Sequence, residues 1–185
     1  MKEIIEKIFL DSIEVKKATL KNNQGAIQQA ALALKKALSN DNKVLLFGNG
    51  GSAADSQHIA AELIGRFQKK RKALAAIALT TDTSVLTSLG NDYGFESIFA
   101  RQIEGLGQKG DVAVGISTSG NSKNVIEAVK KAKEKGLVTI ALTGNKGGEL
   151  AKLSDINIDV PSSNTARVQE THICIGHILC ELIEQ

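Results

Sequence analysis

The chain has 185 residues, 42% hydrophobic and 23% charged, a length and composition that suit a single domain with a sizeable core. Aromatic residues make up only 3% with no Trp, which argues against a base-stacking platform for single-stranded nucleic acid, and a net charge of +3 is too small to demand a nucleic-acid partner. No run approaches the length of a membrane span, and the charged start Met1–Lys7 lacks the apolar segment of a secretory signal, so no membrane association and a cytoplasmic location are expected.

Residues 2–39 carry apolar side chains at helical spacing, among them Ile4, Ile8, Ile27 and Leu34. The run Asn22-Asn23-Gln24-Gly25 predicts a break between two helices. These amphipathic helices need a partner, either the body of the fold or another subunit. From residue 42 strands alternate with helices. Strands are expected at 44–47, 74–79, 112–116, 137–142 and 156–160. Helices are expected near 53–64, 84–89 with 95–106, 125–135 and 149–153, and a last one from about 165 to 184. Five strands joined by crossovers imply a mostly parallel sheet covered on both faces. The organisation is one domain, 1–185, with a helical segment 1–40 on an α/β core 41–185. Cys174 and Cys180, six apart in one apolar stretch, are expected to be buried free thiols.

Two loops of small polar residues follow apolar runs: Phe47-Gly48-Asn49-Gly50-Gly51-Ser52-Ala53-Ala54 and Gly115-Ile116-Ser117-Thr118-Ser119-Gly120-Asn121-Ser122. Each reads as strand, turn and helix start, where main-chain N–H groups and the helix dipole favour an anion. Glycine permits close approach of a ligand, and hydroxyls add donors. Neither loop has a Walker lysine or the G-x-G-x-x-G spacing, so the pair points to a phosphorylated ligand other than a P-loop nucleotide or a dinucleotide. Ligands of parallel sheets bind at the carboxyl ends of strands, so the two cradles can lie side by side.

Other polar residues have more than one reading each. His58 and Glu62, four apart, share one helix face, as a surface pair, as metal ligands, or as a base with its orienter. Gln169 and His177 share the last helix with His172 between them, and eight residues is about 12 Å of rise. They converge by reaching toward each other or by serving different copies of a site. His177 lies in the apolar run Ile175-Gly176-His177-Ile178-Leu179, as a core histidine or a catalyst. Thr80–Ser84 can cap the next helix, and Asn91-Asp92 is a turn or binds sugar hydroxyls. The basic run 66–72 reads as a solvated loop or as charge near an acidic ligand.

Taken together, these blocks resemble the sugar isomerase (SIS) domain proteins and, among them, the phosphoheptose isomerases. The resemblance covers nearly the whole chain. It is carried by the two cradles, by Gln57-His58-Ile59-Ala60-Ala61-Glu62-Leu63-Ile64-Gly65-Arg66-Phe67, by Ala76–Leu79, by Gly90-Asn91-Asp92-Tyr93-Gly94-Phe95, and by Ala166-Arg167-Val168-Gln169-Glu170-Thr171-His172. It implies a three-layer αβα sandwich on a five-stranded parallel sheet, the SIS fold, with the N-terminal helices in the interface of a homotetramer and active sites between subunits. The implied reaction converts the ketose sedoheptulose 7-phosphate to the aldose D-glycero-D-manno-heptose 7-phosphate, the first step toward activated heptose for a bacterial surface polysaccharide such as lipopolysaccharide. The implied substrate-binding residues are Asn49, Gly50, Gly51, Ser52, Glu62, Asn91, Asp92, Ser117, Thr118, Ser119, Ser122 and Gln169. One zinc ion per subunit is implied at His58, Glu62, Gln169 and His177, with Glu62 and His177 as the acid/base pair. Some relatives carry an Asp where this chain has Ala166. An alternative is the related tetramer that binds the DNA replication initiator; it lacks the glutamate and the terminal histidine, and this chain has both.

Overall fold

A computed structural model describes residues 1–185. The first element is one continuous helix, α1 (Lys2–Ser39), where a break was expected. The reason is Asn23, which is buried rather than turned out to solvent. Its Nδ2 donates to Thr19 O (3.2 Å) and to Asp159 O (2.8 Å), and its Oδ1 accepts from Asp159 N at 3.2 Å. A tertiary pairing therefore overrides the turn preference of Asn. The N-terminal half of α1 buries nothing before Thr19 and exposes Ile4, Ile5, Ile8, Phe9, Leu10 and Ile13.

The five strands are β1 (Val44–Gly48), β2 (Ala76–Ala78), β3 (Val112–Ser117), β4 (Val138–Gly144) and β5 (Ile156–Val160). They form one parallel sheet in the order β2-β1-β3-β4-β5. Every residue of β1 and β3 is buried, as apolar strands covered on both faces must be. β2 is shorter than the expected 74–79 and lies at the margin of the sheet. The remaining helices are α2 (Gly51–Ile64), α3 (Thr83–Asp92), α4 (Ile98–Leu106), α5 (Lys123–Glu134), α6 (Gly148–Leu153) and α7 (Thr165–Ile183), with a 3₁₀ turn at Phe95–Ser97.

Alternation along the strands divides the core into two. Val44, Leu46, Val114 and Leu142 pack with Leu34, Ile59, Leu63, Ile175 and Leu179 from α1, α2 and α7. Leu45, Phe47 and Ala113 face the other way, onto Phe99, Ile103, Val125 and Val129 from α4 and α5. The result is the expected three-layer αβα sandwich. The β1–β3 register pairs Gly48 with Ile116, which brings the loops after these strands together at one end of the sheet. No helix is long and apolar enough to cross a membrane.

Candidate active site

The first cradle depends on glycine. A Cβ on Gly48 would lie 2.8 Å from Ile116 O and from Ser52 Cβ, so only glycine lets β1 turn into α2 there. Gly50 follows at φ 57°, and no side chain caps α2, which leaves its positive end open to a ligand. Ser52 is buried against Gly48. The Gln169 amide presses on Gly51, 2.5 Å from where a Cβ would stand. Beside this turn a cleft of about 190 Å³ opens between Gly48, Asn49, Thr80, Phe95 and Phe99.

The second cradle is built from hydroxyls. Ser117 Oγ lies 2.9 Å from Ser122 Oγ and 3.4 Å from Ser119 Oγ, at the start of α5. Ser122 is the N-cap of α5 but makes no capping bond, so its hydroxyl stays with this group. The loop is held from behind by the turn after β4: Leu150 N donates to Gly120 O (2.9 Å) and Glu149 N to Asn121 Oδ1 (3.0 Å). Thr118 O lies against Gly144. The two cradles are tied by a residue that the sequence pattern did not single out. Asn124 and Asn49 exchange amide hydrogen bonds, 2.8 Å each way, and Asn124 is buried. The Asn49 side chain is thereby fixed in orientation, with one N–H and one lone pair engaged.

α2 and α7 run side by side in the same direction: Gly51 meets Gln169 and Ile59 meets Gly176. A Cβ on Gly176 would stand 2.7 Å from Ile59 Cδ1. The missing side chain lets the helices close, and the next residue, His177, comes against His58. His58 Nε2 lies 3.2 Å from Glu62 Oε1 and 3.2 Å from His177 Nε2. The ligand atoms of His58, Glu62 and His177 all fall within 4.8 Å of one another. Two Nε2 atoms facing each other cannot both carry a proton; one donates and one accepts, or a cation takes the proton's place. Two imidazole nitrogens and a carboxylate oxygen form a donor set that suits a metal ion with a further position open. Phe67 covers His177, ring centroids 5.4 Å apart and planes inclined by 26°.

The two readings of several residues now separate. His177 is half-buried and faces His58, whereas the core histidine of α7 is His172. His172 Nε2 donates to Thr143 O at 2.9 Å, and burial lowers its pKa to about 4 against that hydrogen bond. Gln169 lies at the first cradle, about 12 Å of helix rise from His177. Asn91 and Asp92 are exposed at the end of α3, Asn91 Nδ2 donating to Asp92 Oδ1 at 2.8 Å. Asp82 caps α3 by accepting from Val85 N. One turn before His58, burial raises the pKa of Asp55 to about 6, opposed by His58, and one of its oxygens has no hydrogen-bond partner. Within the basic run the lysines are exposed, but Arg71 is drawn in to Glu184 at 2.9 Å and is only 16% exposed.

Comparison with known proteins shows the family. The SIS domain family matches residues 9–144. The phosphoheptose isomerase of Aquifex aeolicus is 58% identical over 185 residues, covering 100% of this chain and 97% of that protein. The solved phosphoheptose isomerase of Neisseria gonorrhoeae superposes with a TM-score of 0.93 at 49% identity, over 99% of this chain and 98% of that one. That of Francisella tularensis gives 0.95 at 42% identity, over 99% and 97%. The chain belongs to the SIS-domain family and, within it, to the phosphoheptose isomerases, enzymes that isomerise a sugar phosphate.

Proposed function

We propose that this chain converts sedoheptulose 7-phosphate to D-glycero-D-manno-heptose 7-phosphate in the cytoplasm, supplying heptose for a bacterial surface polysaccharide such as lipopolysaccharide. The observation that carries the reading is the meeting of Glu62, His58 and His177 in a chain that also holds two anion cradles. The phosphate sits on Ser117, Thr118, Ser119 and Ser122 at the start of α5. The loop Asn49–Ser52, with Asn91, Asp92 and Gln169, binds the sugar.

Glu62 is the base. It presents Oε1 to His58, leaving its second oxygen for the C1 proton of the ketose. His177 gives a proton to O2 as the enediol forms. Glu62 then returns its proton at C2 while O1 gives one to His177, so protons balance and the aldose is released. Well-placed acid and base groups contribute roughly 10²–10⁴-fold each. The same atoms of His58, Glu62 and His177 would hold zinc in place of the proton that His177 otherwise gives. Gln169, the fourth ligand that the family resemblance implies, would come from a second subunit, since in its own chain it lies at the first cradle. Bound zinc supplies a Lewis acid for the substrate carbonyl.

Glu62 stands ten residues beyond Ser52 on α2, about 15 Å of helix rise. That separation supports a site that a second subunit completes, and the exposed apolar half of α1 supports a homotetramer. The test is incubation with sedoheptulose 7-phosphate in D₂O followed by NMR. The expected result is a new aldose phosphate carrying deuterium at C2; no aldose phosphate would overturn the proposal.

A further inference from the structure

Residues 65–73 leave the end of α2 and are gathered by Glu184, just past the last turn of α7. Its carboxylate accepts from the main-chain N–H groups of Phe67 (2.9 Å), Gln68 (2.8 Å) and Lys69 (2.8 Å) and from Arg71 Nε (2.9 Å). Four donors fill the acceptor sites of one carboxylate. Arg71 directs its remaining nitrogens to carbonyls, Leu63 O and Glu62 O at 2.8 Å and Lys72 O at 3.0 Å. An exposed ion pair contributes little, but the Glu184 side chain is only 2% exposed and is matched by all these donors.

This clamp touches two of the three residues of the His58–Glu62–His177 group. Arg71 holds the main chain of Glu62. Phe67, whose own N–H is in the clamp, lies on the imidazole of His177 at 5.4 Å and 26°. The χ2 angle of histidine is broad and roughly two-fold. Rotating the His177 ring would carry its Nε2 away from His58 and sweep the ring edge through the space that Phe67 fills. We infer that Phe67, seated by the Glu184–Arg71 clamp, is a positioning residue that keeps His177 Nε2 turned toward His58 and Glu62. The inference rests on the isomerase reading for kinetics and on the donor set alone for metal binding.

The test compares Phe67→Leu, which keeps apolar bulk, with Phe67→Tyr, which keeps the aromatic face, in the full chain. Zinc alone is the binding probe, measured by competition with a chromogenic chelator. Partners that orient metal ligands are worth ~10–100-fold in affinity or activity. Phe67→Leu is expected to bind zinc about tenfold more weakly and to lose kcat by a similar factor with little change in KM, and Phe67→Tyr to retain both. Wild-type affinity and kcat in Phe67→Leu, or parallel losses in both variants that follow Tm, would overturn the inference. If Phe67→Leu does not fold, the wild-type chain decides. It has three histidines, so a histidine-labelled spectrum is assignable. Ring protons of His177 are expected upfield of those of His58 through the Phe67 ring current, and the absence of that shift overturns the inference. A wild-type chain that binds zinc but does not isomerise sedoheptulose 7-phosphate removes the isomerase reading and leaves the zinc comparison to decide the role of Phe67.

Discussion

At the carboxyl ends of β1 and β3 the molecule offers main chain and small hydroxyls; on the seam between α2 and α7 it offers three long polar side chains. The cradles are local constructions. Each is built within one short segment between a strand and a helix, and is braced from outside by a few contacts, Asn124 on Asn49 and Leu150 N on Gly120 O among them. The His58–Glu62–His177 group is a long-range construction. It exists only because α7, more than a hundred residues later in the chain, packs on α2 with Gly176 against Ile59. A small shift of one helix along the other would leave the second cradle intact, move Gln169 against the first, and disperse the group.

Removing a member of the group gives the largest expected effect. Glu62→Gln should lower turnover by roughly 10²–10⁴-fold with an unchanged circular dichroism spectrum, because it keeps shape and removes basicity. Because Glu62 and His177 meet within one chain, mixing that variant with His177→Gln and allowing subunits to exchange should restore nothing. Recovered activity in the mixture would mean that the working pair is drawn from two chains. Damage to the cradle should look different. Ser119→Ala and Thr118→Val are expected to raise KM roughly tenfold while kcat falls less, the mark of uniform binding lost. Equal losses in kcat for the cradle variants and for Glu62→Gln would erase the distinction between the two regions.

Gly176→Ala probes the seam itself. The new methyl meets Ile59, and overpacking costs about 1–3 kcal/mol, against about 1 kcal/mol of helix propensity gained. A net loss of about 1 kcal/mol in a denaturation experiment, with kcat reduced and KM nearly unchanged, is the expected pattern. The smallest effect concerns acid. Burial pushes the Glu184 carboxyl up, but the N–H groups of Lys69, Phe67 and Gln68 with Arg71 outweigh it and bring its pKa to about 2, from an ordinary 4.5. A depressed carboxyl stabilises the fold above the unfolded value and ceases to do so as pH falls through the folded one. Between pH 4.5 and 2, therefore, the wild-type chain should lose stability more steeply than Glu184→Gln, followed by thermal melts across that window.

The same contrast separates what is legible in the amino-acid sequence from what is not. The parallel sheet, four of its strands and the two small-residue loops follow from patterns within a few residues and appear where those patterns put them, whereas β2 covers only part of its apolar run. The seam does not follow from local pattern. Spacing brings His58 and Glu62 to one helix face, but nothing near His177 separates a catalyst from a core histidine. The answer lies in which face of α7 meets α2, and it assigns the core role to His172 instead. Asn124 and Arg71 are silent in the sequence for the same reason, their partners Asn49 and Glu184 being 75 and 113 residues away. The expected break in α1 fails because a turn-forming residue has a distant partner.

That partner gives Asn23 a role beyond its helix. β5 is the last strand of the sheet on its side, and such a strand leaves a row of unpaired N–H and C=O groups that invites pairing with another chain. The Asn23 amide supplies a donor and an acceptor to Asp159, the same pair of bonds that one residue of a sixth strand would make. A single helical side chain thus closes this margin against sheet extension, and the opposite margin, β2, is only three residues long. Edge-to-edge growth of the sheet is blocked by a stopper on one side and by brevity on the other.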